Sequence, residues 1–92
     1  MDWFWNIIED LFFSGSGINS IAHDDVMVVK DHAILIERPG GRYSLYPFET
    51  FTIIRVSKAH GNVWCRARNG EAFIIRTNVL TKEMKKGNVY VT

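Results

Sequence analysis

Ninety-two residues allow one domain with one modest core. Hydrophobic residues make up 47% and charged residues 23%, too apolar a mixture for general disorder, and a single cysteine excludes an internal disulfide. The net charge of +1 conceals a split: residues 1–25 carry Asp2, Glu9, Asp10, Asp24 and Asp25 and no Lys or Arg, while residues 26–92 carry all eleven Lys and Arg against five acids. A basic body behind an acidic front predicts either an anionic partner for the body or a front segment that folds back onto it.

Residues 1–13 are expected to form an amphipathic helix. On a helical wheel Phe4, Ile7, Ile8, Leu11, Phe12 and Trp5 share a broad arc with Trp3 at its edge, and Asp2, Asn6, Glu9 and Asp10 gather opposite. Asp2 is placed to cap the start and to favour the helix dipole. So short a helix is marginal alone in water, so it is expected to dock on the body of the protein, on a partner's groove or on a second copy as a homo-oligomer. A membrane surface is the weaker choice, because interfacial helices usually carry Lys and Arg on the polar face. The segment has no basic n-region and three acids, unlike a signal peptide, and thirteen residues are too few to cross a bilayer; the expectation is a cytoplasmic protein.

Residues 14–25 (SGSGINSIAHDD) read as a flexible linker by their Ser-Gly opening. Residues 26–92 read as β throughout. Val26–Val29 and Ala33–Glu37 are apolar, β-branched runs, Arg38–Arg42 is a loop by its Pro and Gly content, and Phe51–Val56 is a strand. Asn62–Arg68 and Ala72–Arg76 form a hairpin about Asn69-Gly70, and Gly87 precedes a last strand at Asn88–Thr92. About five short strands with no second helix predict a small barrel or sandwich.

The hairpin register determines which residues face outward. A two-residue loop would put Arg66 opposite Phe73, mixing charge with apolar residues on one face. A three-residue loop with Gly70 in a left-handed G1 bulge pairs Ala67 with Glu71, Cys65 with Phe73 and Val63 with Ile75. Register follows the hydrophobic pattern, so the second is expected, with Trp64, Arg66, Ile74 and Arg76 together on the outer face.

The run FTIIRVSKAHGNVWCRARNGEAFIIRTNVLT resembles the second half of a Src-homology-3 (SH3) domain, with its Trp-Trp-x-Ala segment, tight hairpin and final Pro-Ser-Asn-Tyr-Val. Anchored on Ala67, Trp64 matches the family's peptide-groove tryptophan, and Arg76–Leu80 matches the single helical turn before the last strand. Val28–His32 and Ser44–Phe48 match earlier segments more loosely. The resemblance implies a mainly β, SH3-like barrel over residues 26–92. The family's groove proline is Arg76 here and its groove tyrosine is Val79, leaving Tyr43 and Tyr46 as substitutes, so Pro-x-x-Pro recognition on a row of aromatics is not expected.

These observations predict a non-enzymatic protein-interaction module, an adaptor or regulatory protein of a compact format that fits a phage or bacterial origin. Trp64, Arg66, Arg68, Arg76, Tyr43 and Tyr46 would contact an acidic or mixed protein surface, and Trp3, Phe4, Trp5, Ile7, Ile8, Leu11 and Phe12 would add a hydrophobic contact. The alternative is nucleic acid, with Lys58 and His60 joining the arginines on phosphates and Trp64 stacking on a base. No cofactor or metal is expected: the three histidines are scattered without paired-ligand spacing. Nor is a nucleophile, because strand parity points Cys65 into the core.

Overall fold

The computed structural model describes residues 20–92, and the expected helix over residues 1–13 lies outside them, as do residues 14–19 of the expected linker. Among the described residues the chain forms β1 (Val26–Val29), β2 (Ile34–Arg38), β3 (Gly41–Leu45), β4 (Thr50–Ser57), β5 (Asn62–Ala67), β6 (Ala72–Arg76), α1 (Thr77–Lys85) and β7 (Val89–Val91). Among the described residues strand outweighs helix 49% to 14%, in line with the mainly β expectation.

Five strands make one antiparallel sheet in the order β6-β5-β4-β1-β7, and β2 and β3 form a separate hairpin inserted between β1 and β4. The core fills the space between the sheet, that hairpin and α1. The sheet contributes Met27, Val29, Phe51, Ile53, Val63, Cys65, Phe73, Ile75 and Val89, the hairpin Ile34, Ile36 and Leu45, and the helix Leu80 and Met84. Strands β1, β2, β5 and β6 alternate as half-buried strands must, β5 and β6 being the clearest cases. Packing starts before β1: Ile21 belongs to the same core, so residues 21–25 at the end of the expected linker are fixed on the sheet.

The β5–β6 register is the one the hydrophobic pattern predicts. Cys65 lies opposite Phe73 and Val63 opposite Ile75. The Ala67 amide donates to the Glu71 carbonyl at 2.7 Å and the Gly70 amide to the Ala67 carbonyl at 2.9 Å, closing the loop with Gly70 at φ +93°. Asn69 supports the turn by accepting from the Glu71 amide through Oδ1 at 3.0 Å.

Strand β4 departs from strict alternation. Phe51 and Ile53 point inward, so an unbroken strand would turn Arg55 inward as well. The pairing with β5 instead shifts between Ile53 and Arg55, leaving Ile54 as an extra residue and placing Arg55 outward opposite Trp64, with Val56 returning toward the core opposite Val63.

Two segments differ from the sequence expectation. The loop expected at Arg38–Arg42 is a tight hairpin turn, because Gly41–Leu45 continues as β3 and pairs residue by residue with β2. The single helical turn expected after Arg76 continues as the nine-residue α1, a full helix within residues 26–92 where none was expected. Leu80 and Met84 lie one turn apart and are its buried face. Gly87 (φ +77°) ends it in a Schellman pattern: the Gly87 amide donates to the Met84 carbonyl and the Asn88 amide to the Glu83 carbonyl, both at 3.0 Å.

Asn88, almost fully buried, joins α1 to the turn after β1. Its Oδ1 accepts from the amides of Asp31 (2.7 Å) and His32 (2.9 Å), and its Nδ2 donates to the His32 carbonyl (3.0 Å) and Glu83 Oε1 (2.7 Å). Truncation removes four hydrogen bonds and strands some of their partners. Asn88→Ala is expected to lower stability by about 1–3 kcal/mol, read as a lower urea midpoint with an unchanged slope.

Candidate functional site

The outer face of β4, β5 and β6 carries three cross-strand rows. Arg55, Trp64 and Ile74 form the middle row, Thr52, Arg66 and Ala72 the row on one side, and Ser57, Asn62 and Arg76 the row on the other. Paired side chains on such a face stand about 5 Å apart. Trp64, 45% exposed, therefore has Arg55 across the strand, Arg66 along its own strand and Arg76 on the diagonal. None of the three arginines has an acidic partner within 4 Å among the described residues.

Beside the tryptophan runs a crevice of about 300 Å³, lined by Trp64, Ala72, Phe73 and Ile74 from the β5–β6 hairpin and by Glu37, Arg38 and Pro39 from the β2–β3 hairpin. Arg38 ties the two hairpins together. Its guanidinium meets Glu71 Oε2 at 2.8 Å, approaches the Ala72 carbonyl at 3.5 Å, and lies 4.8 Å over the Tyr43 ring. Tyr43 in turn stacks on Phe73 with ring centroids 5.3 Å apart. Burial, with Glu49 and Glu71 nearby, holds the Tyr43 phenol above its ordinary range.

The structure therefore brings together Trp64, Arg66 and Arg76 from the sequence-derived set. Tyr43 acts beneath the crevice, half-buried against Phe73, and does not line it. Tyr46 sits in the turn after β3, its amide donating to Glu49 Oε1 at 2.9 Å, and Arg68 sits in the β5–β6 turn; neither belongs to the three rows or lines the crevice. Lys58 and His60 lie in the β4–β5 turn, where His60 Nδ1 and Ser57 Oγ are 2.8 Å apart. The apolar residues of the expected helix, Trp3 to Phe12, lie outside the described residues. Sequence reasoning missed Arg55, which strict parity sends inward, and missed Arg38 and Pro39, which belong to a segment taken for a loop. The clue for Arg55 was a charged residue standing at a core-parity position of an otherwise apolar strand.

The face presents an indole and an isoleucine that suit an apolar group, a mostly apolar crevice and guanidinium groups that suit anions. Among the described residues no group of three or more His, Cys, Asp or Glu could hold a metal ion, and no helix is long and apolar enough to cross a membrane. Cys65 lies opposite Phe73 in the core, and burial pushes its thiol up to about 12 from an ordinary 9.0. With the folded value raised, the neutral thiol's contribution to stability is complete below pH 9 and is lost as the pH rises through about 12. The native protein is accordingly expected to resist thiol alkylation at neutral pH and to react stoichiometrically in denaturant, measured by mass spectrometry.

No protein-family model matches the chain, and no curated protein or solved structure matches it.

Proposed function

We propose that the protein is a non-enzymatic interaction module, an SH3-like barrel that works as an adaptor or regulator by binding an acidic, partly apolar protein surface on its Trp64/Arg face. The strand order, the hairpin inserted between β1 and β4 and the helix before the last strand support the barrel assignment. The observation that carries the functional reading is Trp64, nearly half exposed beside an apolar crevice and surrounded by Arg55, Arg66 and Arg76 with no ion pairs among the described residues. Tryptophan and arginine are the residue types most enriched where a few contacts dominate binding. Arg76 in place of the SH3 groove proline directs the face toward acidic side chains, and residues 2–13 offer the partner a second, hydrophobic contact in the cytoplasm.

A photo-crosslinking amino acid at Ile74 in the full chain, expressed in the native host, tests this reading. A discrete protein carrying an acidic patch at the crosslinked site is expected. Its affinity should fall at least about tenfold with Trp64→Ala and also with the pair Arg66→Glu and Arg76→Glu. Titration with a single-stranded oligothymidylate of about twenty nucleotides supplies the opposing outcome. Binding whose logarithm falls steeply and linearly with log salt, with nucleic acid recovered in place of protein, would replace this reading with phosphate recognition.

A further inference from the structure

We infer that the open edge of β6 takes up an extended segment of the partner as an added antiparallel strand, one that carries an acidic side chain two residues before a bulky apolar one. The inference rests on the interaction reading above and specifies the form of partner that this face recognises.

The first ground is the edge itself. Strand β6 ends the five-stranded sheet and pairs with β5 alone. The Ala67 amide donates to the Glu71 carbonyl just before β6, and the Thr77 amide donates to the Gly61 carbonyl at 2.9 Å just after it. One strand of an antiparallel ladder bonds its neighbour at every second residue. Phe73 and Ile75 therefore turn their backbone groups toward β5, and Ala72, Ile74 and Arg76 turn theirs away. Arg38 approaches the Ala72 carbonyl at 3.5 Å, and the Arg76 carbonyl begins α1. The edge thus presents the Ile74 amide and carbonyl and the Arg76 amide to an incoming strand.

The second ground is the crevice of about 300 Å³, lined by Ile74 and Trp64 and, from the β2–β3 hairpin, by Pro39. Residues paired across a ladder project from the same face of the sheet, about 5 Å apart. The residue paired with Ile74 therefore stands on the Trp64 side, where the crevice has room for a side chain of leucine size.

The third ground is charge. Arg38 binds Glu71 at 2.8 Å and closes the Ala72 end, so an added strand extends from Ile74 toward Arg76. Its next residue on the same face is paired with Arg76, which has no acidic partner within 4 Å among the described residues. Because β6 runs from Ala72 to Arg76, an antiparallel segment brings its acid first and its apolar residue two positions later. A second copy fits poorly. Two chains joined about Ile74 would set each Arg76 against the other's Ala72, in the row of Arg66, and like charges opposed across a ladder destabilise it. At the far end of the sheet Val26, Val28 and Tyr90 offer no charge to an acidic strand.

The terminally blocked peptide Thr-Glu-Thr-Leu-Thr-Thr, titrated into the full chain and followed by NMR, tests the inference. With peptide at about ten times its Kd, exchange of the Ile74 amide should slow about tenfold. Exchange of the Val91 amide, on the open edge of β7, should stay unchanged. N-methylation of the peptide's leucine, whose amide faces the Ile74 carbonyl, should weaken binding at least about tenfold, and N-methylation of the threonine before it, whose amide faces away, should change binding less than about twofold. Arg76→Glu should weaken binding of this peptide and favour one with lysine in place of glutamate. Equal effects of the two N-methyl groups, slowing at Val91 in place of Ile74, or no binding at millimolar peptide overturns the inference. A protein that still crosslinks through Ile74 then leaves the interaction reading standing. If the peptide adds to β6 but no protein crosslinks through Ile74, the edge site stands and the interaction reading fails.

Discussion

The irregularity in β4 is the constraint on which the outer face depends. The segment Phe51-Thr52-Ile53-Ile54-Arg55-Val56 cannot alternate strictly without sending a guanidinium into a core made of Met27, Val63 and Phe51. An unpaired buried charge costs several kcal/mol, more than a local break in the ladder. Inserting Ile54 as an extra residue turns Arg55 out and Val56 back in. The Ile54 carbonyl, displaced from regular pairing, is taken up by the His23 imidazole at 2.7 Å, which therefore carries its proton on Nδ1. One misfit in the apolar pattern thus aligns Arg55 with Trp64 and fixes the chain that precedes β1.

The other side of the site depends on a different kind of joint. The β2–β3 hairpin shares no backbone ladder with the five-stranded sheet and is held by packing and by one arginine. Arg38 satisfies Glu71, reaches toward the Ala72 carbonyl and covers the ring of Tyr43, whose other contact is Phe73. The Arg38–Glu71 pair is part-exposed, and such pairs contribute less than about 1 kcal/mol. Its effect is therefore chiefly geometric: it holds the β2–β3 hairpin, with Glu37, Arg38 and Pro39, as the second wall of the crevice. Covering apolar surface there gains about 25 cal/mol per Å², while the arginines select for charge and for rate of encounter.

The legible parts of the molecule were those where a single physical rule applied. Alternation plus an Asn-Gly turn determined the β5–β6 register, the inward cysteine and the outward Trp64, Arg66, Ile74 and Arg76. Strand β3 was hidden because Arg42, Tyr43 and Ser44 carry no β-branched or strongly apolar signal and follow two glycines; its pairing with β2, more than its composition, makes it a strand. Helix α1 was hidden because its buried face is only Leu80 and Met84, and a two-residue stripe is easily read as the tail of a turn. Arg38 and Pro39 could not be assigned to the crevice from sequence, since their neighbours there are more than twenty positions away and are brought close only by the hairpin folding over β6.

The position of β1 between β4 and β7 also governs how the protein comes to exist. Met27 pairs with Val91, so the last strand completes the edge of the first. The loop that closes this pairing spans nearly the whole domain, which makes the topology rich in non-local contacts and intrinsically slow to form. A nascent chain lacking Val89–Val91 leaves β1, paired only with β4, as an open sheet edge. Folding is therefore a single event that follows synthesis of this region, and the interval before it is when the chain most depends on protection from aggregation.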